Sequence, residues 1–334
     1  MQLSIIIVNY KSHGLLLNCL ESLYSETRAT SFEVVVIDNA SEDNGREIIL
    51  SGYPQVKWIQ MGYNSGFARA NNEGIRQSQA SVVLLLNADT IIENQAIDNT
   101  YNHFMHSDAV ACGVQLLNAD RTPQISGNYF MKGGLNYLLP LPYIGGLLKW
   151  IGNLFGVAKP NILNAAGTIE VDWINGAFLM VKKTAIEKAG LMDEDFFLYA
   201  EEAEWCSRLM KVGRLCIYGD QKIVHLQGET AMVIFQSKGK EYHNLFDRKG
   251  LQIIVSNLVR IRKQFGTGWL MLIVIGYLLD IFIFPIGLII ENIFRGGKGR
   301  YTWKEVRGYL SNMRAMLGWL PRILRNKPDF YKVL

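Results

Sequence analysis

Three short runs of mostly aliphatic side chains, at residues 4–8, 33–38 and 81–86, and a more mixed one at 56–61 punctuate the first ninety residues. Runs of this kind suit strands buried on both faces, which occur in parallel sheets covered by helices. The segments between them have helical spacing. From residue 13 to 24, Leu15, Leu16, Cys19, Leu20 and Leu23 fall on one face, and residues 41–50, with Ser41 as N-cap, and 66–79 read as two further helices. The expected fold class is α/β, a mostly parallel sheet with helices on both sides. From about residue 95 the alternation weakens, which suggests three regions: 1–100, 101–240 and 241–334.

In open α/β sheets ligands bind where strands end at their carboxyl side. Here every such end is polar: Asn9-Tyr10, Asp38-Asn39-Ala40-Ser41, Gly62-Tyr63-Asn64-Ser65-Gly66 and Asn87-Ala88-Asp89-Thr90. Each alone is ordinary turn chemistry, and Asp38 has a competing explanation as a cap for the helix behind it. Together they predict a ligand crevice. Neither a G-x-G-x-x-G fingerprint nor a G-x-x-x-x-G-K-[ST] loop is present. A phosphate would therefore need a divalent cation, Mg²⁺ or Mn²⁺, for which Asp89 at the end of a buried strand is the natural oxygen ligand.

A second cluster sets six carboxylates among aromatics: Asp193, Glu194, Asp195, Glu201, Glu202 and Glu204. Acids at a helix start complement its dipole, and Glu204 with Arg208 forms an i,i+4 pair, so part of the cluster is structural. Packed near rings, one carboxylate can be tuned toward a general base. His225, after a short β run, is either a packed histidine or a partner for Asp89 at a cation.

The charge is unevenly spread. The whole chain carries +4, but residues 291–334 hold ten Lys or Arg against three acids, leaving −3 for residues 1–290. A basic tail following an apolar run fits a membrane surface better than a nucleic acid. The run is 268–290, whose only charge is Asp280. As a helix of about 35 Å it could span a bilayer, yet Asp280 would then lie at mid-membrane, and a single crossing would put the basic tail opposite the body. A non-spanning segment kinked at Pro285 is the favoured expectation; a core helix in a dimer interface is the alternative. Residues 133–158 are apolar and broken by glycines, either a core insertion or a membrane-touching flap. The amino terminus reads as a strand without a charged leader, and the four cysteines lack metal or redox spacing, so a cytosolic body with buried thiols is expected.

The stretches IIIVNY, VIDNAS, NSGFARANNEG, LLLNADT, GAFLM and DEDFFLYAEEAEWCSRL, followed by His225, come in the order and spacing of family 2 glycosyltransferases. Over residues 1–230 the chain resembles bacterial rhamnosyltransferase-type members that build O-antigen and other cell-surface polysaccharides. The resemblance implies a GT-A fold, with a nucleotide-sugar-binding half followed by an acceptor-binding half. It further implies inverting transfer of a sugar, rhamnose by likeness to the subgroup, from a nucleotide diphosphate to the hydroxyl of a lipid-linked saccharide at the cytoplasmic face of the inner membrane. By the same resemblance Val8, Asn9, Tyr10, Asp38, Asn64, Gly66, Arg69, Asn72 and Asn87 line the donor. Gly176, Ala177, Phe178 and Glu204 border sugar and acceptor, Asp89 and His225 hold the metal, and Glu202, with Glu201 or Glu204 as alternative, is the base. Asn87 stands where the D-x-D motif has its first Asp, and Glu202 where Asp is usual. Those departures leave a non-catalytic sugar-binding protein as one alternative, and a nucleotidyltransferase as another, although Lys11 is the only basic residue near strand one.

Overall fold

The computed structural model describes residues 1–129, 134–157, 160–226 and 244–333. They divide into two compact units, one within 1–130, 160–197 and 201–230, the other within 131–159, 198–200 and 231–334.

In the first unit the aliphatic runs form β1 (Leu3–Asn9), β2 (Phe32–Asp38), β3 (Lys57–Gln60) and β4 (Val82–Asn87), paired in parallel in the order β3-β2-β1-β4. β1 is buried from both sides. Leu3, Ile5 and Ile7 join the core beneath α1 (His13–Glu26) and α2 (Gly45–Gly52), whereas Ile6 joins the opposite core, beneath α3 (Gly66–Gln77). Both faces are dry, so the strand shows no apolar–polar alternation. Gly74 lets α3 close on the sheet, since a Cβ there would stand 2.3 Å from Ile6 Cγ2.

After β4 come β5 (Thr90–Ile91), α4 (Ala96–Met105), β6 (Ala111–Leu117), β7 (Gly127–Asn128), β8 (Asn161–Ile162), β9 (Thr168–Val171), β10 (Trp173–Ile174), β11 (Phe178–Lys182), α6 (Lys183–Ala189), α7 (Glu201–Leu209) and β12 (Leu215–His225). β11 runs antiparallel between β4 and β6, and β12 pairs parallel with β6 and antiparallel with β5 and β9. Residues on both sides of position 100 thus share one nine-stranded sheet, in a mixed α/β arrangement. All four cysteines are buried free thiols, as expected. One local expectation fails: α2 begins at Gly45 with Asn44 as N-cap, because the Ser41 side chain is engaged at Asp38.

The second unit holds a 3₁₀ turn (Gly134–Leu138), α5 (Ile144–Leu154), α8 (Arg248–Phe294) and α9 (Trp303–Arg325). α8 breaks at Gly266, where φ is 86°, and its helical assignment runs on through Pro285. Leu270, Ile273, Val274, Tyr277, Asp280, Phe284 and Leu288 recur every three to four residues and are buried, whereas Leu272, Ile275, Leu279, Phe282, Ile286 and Ile290 face outward. Asp280 therefore lies on the buried face of the helix, among protein side chains. α9 starts on a Thr302–Glu305 capping box and buries Val306, Tyr309, Met313 and Met316, with Lys304, Arg307, Arg314 and Arg322 outside. The segment 133–158 has a double character within its described part. Leu138 and Leu141 are buried, but Leu147, Trp150, Leu154 and Phe155 on and after α5 are exposed.

Candidate active site

The register of β1 and β2 sets Asn9 beside Asp38. Both are buried. Asn9 Nδ2 donates to Asp38 Oδ1 at 2.7 Å and to Ser41 Oγ at 3.1 Å. Asp38 also accepts the Ser41 hydroxyl at 2.5 Å, the Ser41 N–H at 3.1 Å and Gln60 Nε2 at 2.7 Å. Of these partners only Gln60 is exposed, so a ligand donor would reach Asp38 by replacing it. Val8 and Tyr10 are half-buried on either side.

After β3, Asn64 Oδ1 accepts from Asn39 Nδ2 at 3.0 Å and from the Gly66 N–H at 3.2 Å. Gly66 has φ +76°, and a Cβ there would stand 2.2 Å from Phe197 O. No other residue type tolerates both conditions. α3 then binds the acidic segment repeatedly. The Phe67 N–H donates to Phe197 O at 2.8 Å and Arg69 Nε to Glu194 O at 3.1 Å. Asn72, 0% exposed, donates to Met192 O (2.9 Å) and Glu194 Oε1 (3.0 Å) and accepts the Met192 N–H (2.9 Å). Burial would raise the Glu194 pKa, but Arg76 at 2.6 Å and Asn72 hold it below the usual carboxylate range. In this structure the Asn72 amide holds residues 192–194, and Gly66 permits the close approach to Phe197.

At the end of β4, Asn87, Asp89 and His225 converge. Asp89 and His225 are nearly buried, with His225 Nε2 3.4 Å from Asp89 Oδ1 and 3.2 Å from Asn87 Nδ2. The Leu226 N–H donates to Asp89 O at 2.9 Å, pinning the two loops together. On the far side of the ring, His225 Nδ1 lies 3.0 Å from Gln124 Oε1. The set fits a divalent cation. Adjacent ligands on 2.1 Å bonds in an octahedron stand about 3.0 Å apart, close to the observed separation. An imidazole beside a carboxylate suits Mn²⁺ better than Mg²⁺, which prefers oxygen alone. Among the described residues no three His, Cys, Asp or Glu side chains converge, so these two would hold a cation whose other ligands are diphosphate and water oxygens.

The glutamates differ sharply. Glu204 is locked to Arg208, which donates from Nε at 2.9 and 3.1 Å and from Nη2 at 2.7 Å. The carboxylate thus serves the i,i+4 pair that the sequence also suggested. Glu201 is 3% exposed, and its Oε2 has no hydrogen-bond partner among the described residues. Burial, then the neighbouring Glu202, pushes its pKa well above the ordinary value. Glu202 is half-buried, with Cβ and Cγ 3.7 Å from where a Gly176 Cβ would be. One residue on, Ala177 O accepts the Asn87 N–H at 3.1 Å. The loop leading into Phe178 therefore passes beside Glu202 at one residue, where a side chain would reach contact distance, and hydrogen-bonds the Asn87–Asp89 turn at the next. Immediately before α7, Tyr199 and Ala200 both have left-handed backbones, φ 71° and 69°.

Gln60 and Gln124 were given no role in the sequence reading, and Asn39 entered it only as part of a polar strand end and of the stretch VIDNAS. Gln124 sits in an irregular stretch after β6 where no periodicity marks it.

Residues 4–164 match the family described as Glycosyl transferase family 2. The low-salt glycan biosynthesis hexosyltransferase Agl10 of Haloferax volcanii is 31% identical over 62% of this chain and 61% of its own length. The dTDP-rhamnosyl transferase RfbF of Shigella flexneri is 28% identical over 69% and 70%. The N-acetylglucosaminyl-diphospho-decaprenol L-rhamnosyltransferase of Mycobacterium tuberculosis is 25% identical over 55% and 63%. The match thus spans about three fifths to seven tenths of these relatives. Among solved structures, the mannosyltransferase PcManGT from Pyrobaculum calidifontis, in complex with GDP-Man and Mn²⁺, superposes with TM-score 0.53 at 15% identity, covering 97% of this chain and 85% of that one. That likeness establishes the fold. Residues 4–164 thus match glycosyl transferase family 2, and the chain is built on a GT-A fold.

Proposed function

We propose that the protein is an inverting hexosyltransferase that moves a sugar, rhamnose by analogy with two relatives, from a nucleoside diphosphate to a hydroxyl of a lipid-linked saccharide. The observation that supports this reading is the loop 175–177, which passes beside the Glu202 side chain at Gly176 and hydrogen-bonds the Asn87–Asp89 turn at Ala177. An acid able to accept a proton and an acid–imidazole pair able to hold a cation are thereby neighbours across one loop.

Glu202, the more accessible carboxylate, accepts the proton of the acceptor hydroxyl. That oxygen bonds to the anomeric carbon as the bond to the diphosphate oxygen breaks from the opposite side, and the nucleoside diphosphate departs. Asp38 and Asn9 orient the nucleoside, and the Asn64–Gly66 turn borders the donor. A divalent cation at Asp89 and His225 supplies positive charge to the leaving diphosphate. The outward apolar faces of α8 and α5 and the basic side chains of α9 support attachment to an anionic membrane surface, where a lipid-linked acceptor resides.

The test is transfer by the purified full-length chain from a panel of nucleoside diphosphate sugars to membrane extract, read by mass spectrometry. Glu202→Gln is expected to lower turnover about 10²–10⁴-fold, and Asp89→Ala or EDTA to abolish it. Full activity in Glu202→Gln moves the base elsewhere, activity in EDTA removes the cation role of Asp89, and absence of transfer from every donor refutes the enzyme reading.

A further inference from the structure

Gln124 makes more contacts around His225 than packing requires. Its Nε2 is surrounded by three acceptors: His225 O at 2.6 Å, Asn118 Oδ1 at 2.8 Å and Leu117 O at 3.3 Å. Two of these are backbone carbonyls, which cannot donate. The amide orientation is therefore fixed, for the reversed amide would put its oxygen against those carbonyls. Oε1 is left facing His225 Nδ1 at 3.0 Å, and an amide oxygen can only accept, so Nδ1 must carry a proton. Both side chains are nearly buried, which makes a mismatched pair costly.

The other ring nitrogen follows. In the neutral ring a proton on Nδ1 leaves Nε2 bare, and Nε2 is the atom 3.4 Å from Asp89 Oδ1. Asn87 Nδ2, 3.2 Å away, is a donor that suits a bare nitrogen. We infer that Gln124 is a positioning residue that locks His225 in the Nδ1–H tautomer, so that Nε2 is presented to a divalent cation shared with Asp89. Gln124 touches neither substrate nor cation and acts through the ring. The inference rests on the proposed cation site for its consequence, but the tautomer itself does not.

Histidine ring ¹⁵N spectra of the full-length, metal-stripped protein at alkaline pH, with the His225 signals assigned by their loss in His225→Ala, read the tautomer directly. A protonated Nδ1 and an unprotonated Nε2 are expected in the wild type. The opposite tautomer, or an even mixture, overturns the proposal without any Gln124 variant being made. Titration with Mn²⁺ alone, following free Mn²⁺ by electron paramagnetic resonance, reads the consequence. Gln124→Met, which cannot accept from Nδ1, should mix the tautomers and weaken Mn²⁺ binding about 10–100-fold. Gln124→Glu, which keeps an acceptor at Nδ1, should recover most of both. Unchanged tautomer and affinity in Gln124→Met, or no recovery in Gln124→Glu, refutes the role of Gln124. If His225→Ala leaves Mn²⁺ binding intact, the cation reading itself has failed, a result that the ring spectra separate from a failure at Gln124.

Discussion

Asn72 offers the sharpest separation between two roles that its motif allows. A donor contact would be exposed and lightly bonded. Here the side chain is fully buried, with 2.9 Å bonds to both the N–H and the C=O of Met192 and a 3.0 Å bond to Glu194. Asn72→Ala would leave the two Met192 backbone groups buried without partners, at about 1–3 kcal/mol each, or about 2–6 kcal/mol together. The bond to Glu194 adds little, because that carboxylate is substantially exposed. Urea unfolding followed by tryptophan fluorescence measures the loss, and donor titration on the same preparation measures KM. The expected result is a large fall in stability with a fall in kcat, as the acidic segment before Glu201 and Glu202 loosens. A variant within about 0.5 kcal/mol of wild type whose donor KM alone rises would refute the clamp and restore the donor contact.

Two other expectations are simpler. Because burial and Glu202 raise the Glu201 pKa, the folded state binds the Glu201 proton more tightly than the unfolded chain does. Stability contributed by that protonated form is present at low pH and lost, at up to about 1.4 kcal/mol per unit, as pH rises from the unfolded value of about 4.3 toward the folded one. Thermal melts against pH should show a shallower decline in Glu201→Gln; identical slopes would refute the assignment. On α8, Phe282 and Ile286 are exposed, and burying each in lipid is worth at least about 1.5 kcal/mol, so Phe282→Gln with Ile286→Gln should weaken partitioning onto anionic vesicles about 100-fold without lowering the melting temperature. Unchanged partitioning would remove that face from the membrane contact.

The parallel half of the sheet was legible because strands dry on both faces leave largely aliphatic runs. Side-chain partners were not legible. Asn72 and Glu204 sit inside motifs whose order is recognisable, but whether an amide meets ligand or backbone depends on chain more than a hundred residues away: Met192 for Asn72, and His225 for Gln124. Ser41 looked like a cap because serine before a helix usually is one; a buried Asp38 competed for the same hydroxyl and won. In α8 proline was the visible irregularity, yet helix continues through it, and the break falls at Gly266, where a positive φ costs a glycine little.

Tyr199 and Ala200 carry an implication for engineering. Two consecutive non-glycine residues with left-handed backbones cost roughly 1–2 kcal/mol each, just ahead of the carboxylates of α7. Glycine at position 200 would relieve that tension and also give slack to the run-in to the helix. Heat tolerance and turnover therefore pull against each other at that codon, and selection for robustness alone would be expected to blunt the enzyme.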